Sequence, residues 1–268
     1  MFYHAKNSSI QIGDTTMDYI SFGYGKRNLI MLPGAGDGLK TAKGMALPFA
    51  ILYREFAKDF KVYVFSRKNK LPEQYSSWEM ARDQKFAMDI LGIQKADVIG
   101  VSQGGTIAQC LAIEYPEIVN RLILAVTFAK PNPTLKTVVN QWLTFAEKKD
   151  YRSLMMDTFE KSYSEHYLQK YRKYYPVITR IGKPKSFDRF IAMIKAITEH
   201  NCFDKLGQIM CPVLIIGGKQ DHIVTAKASD EMASRIKNNE LYLYEKFGHA
   251  AYEEAPDFNQ RIMKFLKS

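Results

Sequence analysis

Short apolar runs and stretches of helical period alternate along most of this chain. Residues 9–12 and 17–22 alternate apolar and polar positions on either side of Gly13-Asp14, which predicts two strands joined by a turn. Asn28-Leu29-Ile30-Met31-Leu32 is a continuous apolar run of strand length, stopped by the glycine-rich Pro33-Gly34-Ala35-Gly36-Asp37-Gly38. Residues 61–65, 96–100, 121–126, 213–216 and 240–244 predict further short strands. Between them, 46–58, 76–91, the stretch from Ser102 to just before Pro116, 226–236 and 256–266 read as helices. In the second of these, Ser76 and Glu79 have the spacing of a capping box. Met80, Phe86, Ile90 and Leu91 are expected on its buried face, with Gly92 as the stop. Buried strands alternating with helices predict an α/β fold, a mostly parallel central sheet with helices on both faces.

The pattern changes between residues 131 and 200. No strand-like run occurs there, and 140–149, 151–163, 166–174 and 187–199 read as helices. The expected organisation is therefore a core made of residues 1–130 and 201–268, with a helical cap, 131–200, inserted into it. This insertion holds 13 Lys/Arg against 7 Asp/Glu, so it carries six of the ten net positive charges of the chain.

Composition narrows the class without defining it. The chain has 268 residues, 46% hydrophobic and 25% charged, enough to build a full core without disulfides or metals. That excludes a disordered chain, a collagen-like chain and a disulfide-dense miniprotein. No run reaches the roughly 20 apolar residues of a membrane span. The first six residues lack the apolar core of a secretory signal. The expectation is a cytoplasmic protein without stable membrane insertion. Cys110, Cys202 and Cys211 are odd in number and fit no metal-ligand spacing, so they are expected to be reduced and mostly buried, and no metal is expected. A net charge of +10 attracts anions. The basic and aromatic stretch Gln169-Lys170-Tyr171-Arg172-Lys173-Tyr174-Tyr175 raises nucleic acid as a partner. It reads instead as a solvated helix face with its tyrosines turned inward, and no nucleic acid partner is expected.

The chemistry gathers at strand ends. Gly100-Val101-Ser102-Gln103-Gly104 is a G-x-S-x-G sequence between a predicted strand and a predicted helix, the setting of a nucleophile on a strained turn. A serine there could also cap the helix or hold a phosphate. A serine hydroxyl needs a base, and the base an orienting acid. His249 follows a predicted strand in Glu245-Lys246-Phe247-Gly248-His249-Ala250, a better placement than His4, His166, His200 or His222; the plain alternative is a surface-loop histidine. Asp221 follows another predicted strand through Gly217-Gly218-Lys219-Gln220, where an ordinary turn aspartate is the alternative. The residues after 121–126, Thr127-Phe128-Ala129, offer no acid. An oxyanion formed at Ser102 would need two N–H donors. Gln103, at the helix start, is one. Ala35, in the loop after residues 28–32, is the other. That loop lacks the ending of a P-loop and the spacing of a dinucleotide fingerprint.

With these motifs in place, the whole chain resembles the α/β-hydrolase superfamily. The resemblance implies Ser102 as nucleophile, Asp221 as acid, His249 as base, Ala35 and Gln103 as oxyanion donors, and 131–200 as the variable cap. Many members open the oxyanion loop with His-Gly where this chain has Pro33-Gly34, which leaves Gly36 as an alternative donor. The implied function is hydrolysis of carboxylic esters through an acyl-enzyme, without a cofactor, on a small-molecule ester or related acyl substrate. The alternatives are a thioesterase, lactonase, C–C hydrolase or hydroxynitrile lyase, or a ligand-binding receptor without turnover. Phe128 and Trp142 are candidate walls of a substrate pocket, with packing of the cap as the plain alternative for Trp142. A homodimer is left open.

Overall fold

The computed structural model describes residues 2–268. Eight strands form one sheet: β1 (Lys6–Ile12), β2 (Thr15–Phe22), β3 (Arg27–Leu32), β4 (Phe60–Lys68), β5 (Ala96–Val101), β6 (Val119–Ala125), β7 (Val213–Gly218) and β8 (Asn239–Tyr244). Their order is β1-β2-β4-β3-β5-β6-β7-β8. β1 and β2 form the expected hairpin, β2 pairs antiparallel with β4, and all later pairs are parallel. β3, β5 and β7 are buried along nearly their whole length, as strands covered on both faces must be. β1 and β8, at the two edges, keep several exposed positions.

The helices that cover the sheet are α1 (Ala46–Leu52), α2 (Arg54–Ala57), α3 (Ser77–Ile90) and α4 (Gln103–Glu114) in the first half of the chain. The helix expected over 46–58 is thus two pieces, broken at Tyr53. α3 starts with the predicted capping box: the Glu79 N–H donates to Ser76 Oγ, and Glu79 takes the Ser76 N–H. Its buried face differs from the expectation. Met80, Ala81, Gln84, Ala87 and Met88 face inward, whereas Phe86 and Ile90 are about half exposed. α3 packs against α4 closely enough for Ser77 Oγ and Thr106 Oγ1 to lie 2.9 Å apart, and so close an approach selects small residues over bulky ones.

Between β6 and β7 the chain is helical: α5 (Pro133–Glu147), α6 (Tyr151–Ser162), α7 (Glu165–Tyr171), α8 (Tyr175–Ile178) and α9 (Asp188–Glu199). α5 starts seven residues before the expected position. Asn132 caps it by accepting the Leu135 N–H at 2.8 Å, and Pro133 occupies the first turn. Residues 166–174 are not one helix, because a 3-10 turn, Arg172–Tyr174, separates α7 from α8. Tyr175 points inward, Tyr174 is exposed, and Tyr163, Tyr167 and Tyr171 stack on one another with centroids 4.2 Å apart. The segment docks on the ends of the strands through Leu135, Val139, Phe190 and Ile194, which share an apolar cluster with Phe128 and Val224. α10 (Ala226–Ala233), α11 (Ala251–Glu254) and α12 (Phe258–Lys267) complete the fold. Cys110, Cys202 and Cys211 are buried and free. Among the described residues no helix is long and apolar enough to cross a membrane.

The strand order decides where a site can form. From β3 the chain moves outward to β4, then returns to pair β5 on the other side of β3 and moves outward again through β6, β7 and β8. The loops leaving β3 and β5 therefore diverge, and open a crevice at the carboxyl ends of the two central strands.

Candidate active site

Ser102 stands at this switch point. It follows β5 directly and precedes α4, with φ 53° and ψ −121°, a left-handed conformation that a non-glycine residue adopts only under constraint. The Ser102 N–H donates to Ala125 O at 2.9 Å, and its carbonyl accepts the Gly105 N–H at 2.8 Å and Thr127 Oγ1–H at 2.7 Å. The flanking glycines have no room for a side chain. A Cβ at Gly104 would lie 1.9 Å from the Leu32 carbonyl oxygen, and one at Gly100 would lie 2.5 Å from the Gly104 oxygen. The turn is thus wedged between the end of β3 and its own helix, which holds the hydroxyl out.

His249 Nε2 lies 3.0 Å from Ser102 Oγ, and His249 Nδ1 lies 2.8 Å from Asp221 Oδ2. Three residues far apart in sequence therefore form one hydrogen-bonded chain, with the Nδ1–H donating to the carboxylate and Nε2 accepting from the hydroxyl. Asp221 is reached through β7 and a turn in which its Oδ1 accepts the Ile223 and Val224 N–H groups at 2.8 and 2.9 Å. Burial pushes this carboxyl up, but the imidazole of His249 and the two backbone donors outweigh it and hold its pKa below the ordinary 3.8. The histidine loop crosses directly over Gly218, where a Cβ would lie 2.1 Å from the Phe247 carbonyl oxygen. The loop is also tied to the end of α6, since the Ala250 N–H donates to Ser162 O at 2.8 Å.

Ala35 and Gln103 stand on the two loops that meet beside Ser102. Ala35 begins a 3-10 turn, Ala35–Gly38, after the extended Gly34, and a Cβ on Gly34 would lie 3.9 Å from Ser102 Oγ. Gln103 is the first residue of α4 and is fully buried. A helix start presents unpaired N–H groups and a positive dipole end, both suited to an anion. Its carboxamide Nε2 donates to the Met193 carbonyl of α9 at 2.6 Å.

The two residues expected at a pocket wall have other company. Trp142 is buried, and its Nε1–H donates to Asp157 Oδ2 at 2.8 Å inside the helical segment. Phe128 is buried edge-on against His200, and its carbonyl accepts from Gln109 Nε2. Both side chains belong to the apolar cluster between the helical segment and the strand ends. A groove of about 1330 Å³ opens between residues 69–75 and α9. Ser102, Asp221 and His249 are absent from its lining.

Sequence reasoning missed Asp37, Arg67, Thr127 and Arg189. Asp37 and Arg67 are almost wholly buried, and Arg189 reaches both of them from α9. Arg67 reads in the sequence as the start of a basic Arg67-Lys68 pair at a strand end, with no signal that it is enclosed. Among the described residues, no group of three or more His, Cys, Asp or Glu is arranged to hold a metal ion.

Fold and site together define the class. The chain belongs to the alpha/beta hydrolase fold family, whose model matches residues 28–150 and 127–256. It is similar to the 2-hydroxy-6-oxo-6-phenylhexa-2,4-dienoate hydrolase of Comamonas testosteroni, with 29% identity covering 98% of this chain and 95% of that one. It is also similar to a 2-hydroxy-6-oxononadienedioate/2-hydroxy-6-oxononatrienedioate hydrolase of Paraburkholderia xenovorans (strain LB400), with 26% identity covering 95% and 91%. Among solved structures, MGS-M2, an alpha/beta hydrolase enzyme from a Medee basin deep-sea metagenome library, superimposes with a TM-score of 0.87 over 97% of this chain and 98% of that one, at 21% identity.

Proposed function

We propose that the protein is a serine hydrolase that cleaves small carboxylic esters, with residues 131–200 as a cap over the site. The observation that carries this reading is the unbroken chain from Ser102 Oγ through both nitrogens of His249 to Asp221. In the first half-reaction His249 Nε2 takes the proton of Ser102 as Oγ bonds to the carbonyl carbon. The negative charge on the former carbonyl oxygen is met by the Ala35 and Gln103 amides. The C–O bond then breaks, and the imidazolium, held by Asp221, returns its proton to the leaving alkoxide. In the second half-reaction Nε2 takes a proton from water, hydroxide adds to the acyl carbon, and Ser102 Oγ leaves with that proton. The carboxylic acid is released and the enzyme restored.

A second reading is favoured by the two relatives. Their named substrates are 6-oxo dienoates and a 6-oxo trienedioate, ketones that carry carboxylates but no ester, so their hydrolysis breaks a carbon–carbon bond. In this chain the same serine would add to such a carbonyl, with His249 delivering the proton to carbon instead of oxygen. Activity on a p-nitrophenyl ester series and on a 6-oxo dienoate separates the two readings. Under either one, Ser102→Ala loses turnover and loses labelling by a fluorophosphonate probe; labelling that persists in that variant sinks both.

A further inference from the structure

We propose that Arg67 and Arg189, joined through Asp37, are positioning residues by which the single helix α9 sets both oxyanion amides. This rests on the serine-hydrolase reading above. Asp37 lies in the same 3-10 turn as Ala35, and its carboxylate Oδ2 accepts the Arg67 N–H at 2.9 Å and Arg189 Nη2 at 3.2 Å. Arg189 Nη1 donates to the Asp37 carbonyl at 2.8 Å, and Nη2 also reaches the Arg67 carbonyl at 3.2 Å. One guanidinium of α9 therefore grips the backbone of the Ala35 turn and the end of β4 together. The same helix holds the second amide, because the Met193 carbonyl accepts from the Gln103 side chain, and Arg67 Nη2 stands 3.5 Å from Gln103 Oε1. The fit leaves little play: a Cβ on Gly38 would lie 2.7 Å from Phe190 Cα, on α9.

The charges point the same way. Arg67 is fully buried, and its Nε and Nη1 have no partner among the described residues. Arg67 meets Asp37 through its backbone N–H only, and the Asp37 carboxylate is paired with Arg189, so the enclosed Arg67 guanidinium stands as surplus positive charge beside Gln103, the residue that follows Ser102. Uncompensated buried charge is costly. An anion forming at the Ser102 carbonyl adduct offsets it, and a ground-state ester does not. The cluster is thus expected to act on the transition state more than on binding.

The test is the kinetics of labelling by a fluorophosphonate–rhodamine probe in the wild type, Ser102→Ala, Arg189→Met and Arg189→Lys. Removing one oxyanion donor outright slows an acyl transfer about 10²–10³-fold. Displacing donors that remain present is expected to slow the maximal labelling rate of Arg189→Met by about 10–100-fold, with half-saturating probe concentration within about threefold. Arg189→Lys keeps the charge without the fork and is expected to lie in between. A merely structural role would lower the melting temperature and the fraction of protein that labels, and leave the rate per labelled site alone. That outcome, or a loss confined to half-saturation, overturns the proposal. Should Arg189→Met fail to fold, Arg189→Lys carries the test, and a wild-type rate there overturns it. If Ser102→Ala abolishes labelling while Arg189→Lys and Arg189→Met label at the wild-type rate, only this inference fails. Labelling that persists in Ser102→Ala removes the reading beneath it.

Discussion

The loops at the carboxyl ends of the strands and the helical segment 133–199 meet across one apolar cluster, yet they are built by different means. The loops are fixed by backbone: Ser102 is strained, the glycines beside it admit no Cβ, and each side chain of the hydrogen-bonded chain has defined partners within 3.0 Å. The segment is fixed largely by area: α5 and α9 bury broad apolar faces against the strand ends, dispersion contacts that neighbouring residues can replace. Substitutions in the first region should therefore act mainly on rate, and those in the second mainly on stability. α9, the end of α6 and the Asn132 cap of α5 are the exceptions, since each touches both regions.

The largest expected effect lies in the loops. Asp221→Asn keeps the shape of the turn but replaces the acceptor facing Nδ1 with an amide donor, so the imidazole must carry its proton on Nε2 and can no longer accept from Ser102. Hydrolysis should fall roughly 10⁴-fold, with folding kept. Ester turnover within tenfold of the wild type would mean that the Asp221 contact does not set the tautomer. Gly104→Ala comes next. The added Cβ collides with the Leu32 carbonyl oxygen, so β3 and α4 must part, and a displacement of about 1 Å at the reacting groups is worth about 10²-fold in rate. Its stability should fall by about 1–3 kcal/mol in a urea titration. A normal rate in this variant would break the view that backbone closure sets the geometry.

The same contrast explains what the sequence could reveal. The strands and the glycine-flanked serine turn were readable because local steric rules constrain them tightly, whereas the order Ser102, Asp221, His249 came from the expected architecture and not from local rules. The helices of the segment 133–199 were readable as helices but not in their bounds. Asn132 and Pro133 open α5 well before its apolar period becomes clear, and the 3-10 turn at Arg172–Tyr174 leaves the period of the flanking helices almost intact. The inward face of α3 was misread because the close approach of α4, a tertiary fact, favours Ala81 and Ala87 over Phe86 and Ile90. Arg67 was invisible for the same reason: only the arrival of α9 and the Asp37 turn encloses it.

A third prediction concerns the junction of the two regions. His200 ends the segment, and burial beside Phe128 and Cys202 lowers its pKa from 6.5 to about 4. The unfolded chain therefore takes up a proton between these values that the native protein refuses. Stability should be full above pH 6.5 and fall by about 3 kcal/mol from this group as pH drops to about 4, with the loss from the depressed Asp221 joining it only at the lower end of that window. His200→Phe keeps a ring against Phe128 and removes the titration. The slope of unfolding free energy against pH should flatten in this window relative to the wild type, and equal slopes would locate the acid sensitivity elsewhere.

The smallest effect belongs to Trp142, and it sharpens the comparison most directly because two roles were open for this side chain. As a pocket wall it would touch substrate, and its loss would appear in KM or kcat. Its place in the fold is instead a packing one, with the indole N–H committed to Asp157, a carboxylate that also pairs with Lys161. Trp142→Phe keeps an aromatic ring but deletes that donor, leaving a partly exposed carboxylate that still has a partner. The expected cost is about 1 kcal/mol of stability, read from a denaturant midpoint, with kcat/KM across an ester chain-length series within about twofold of the wild type. A chain-length profile that shifts in this variant while the midpoint stays put would return Trp142 to the substrate pocket, and would show that the segment shapes the site through its side chains as well as through α9.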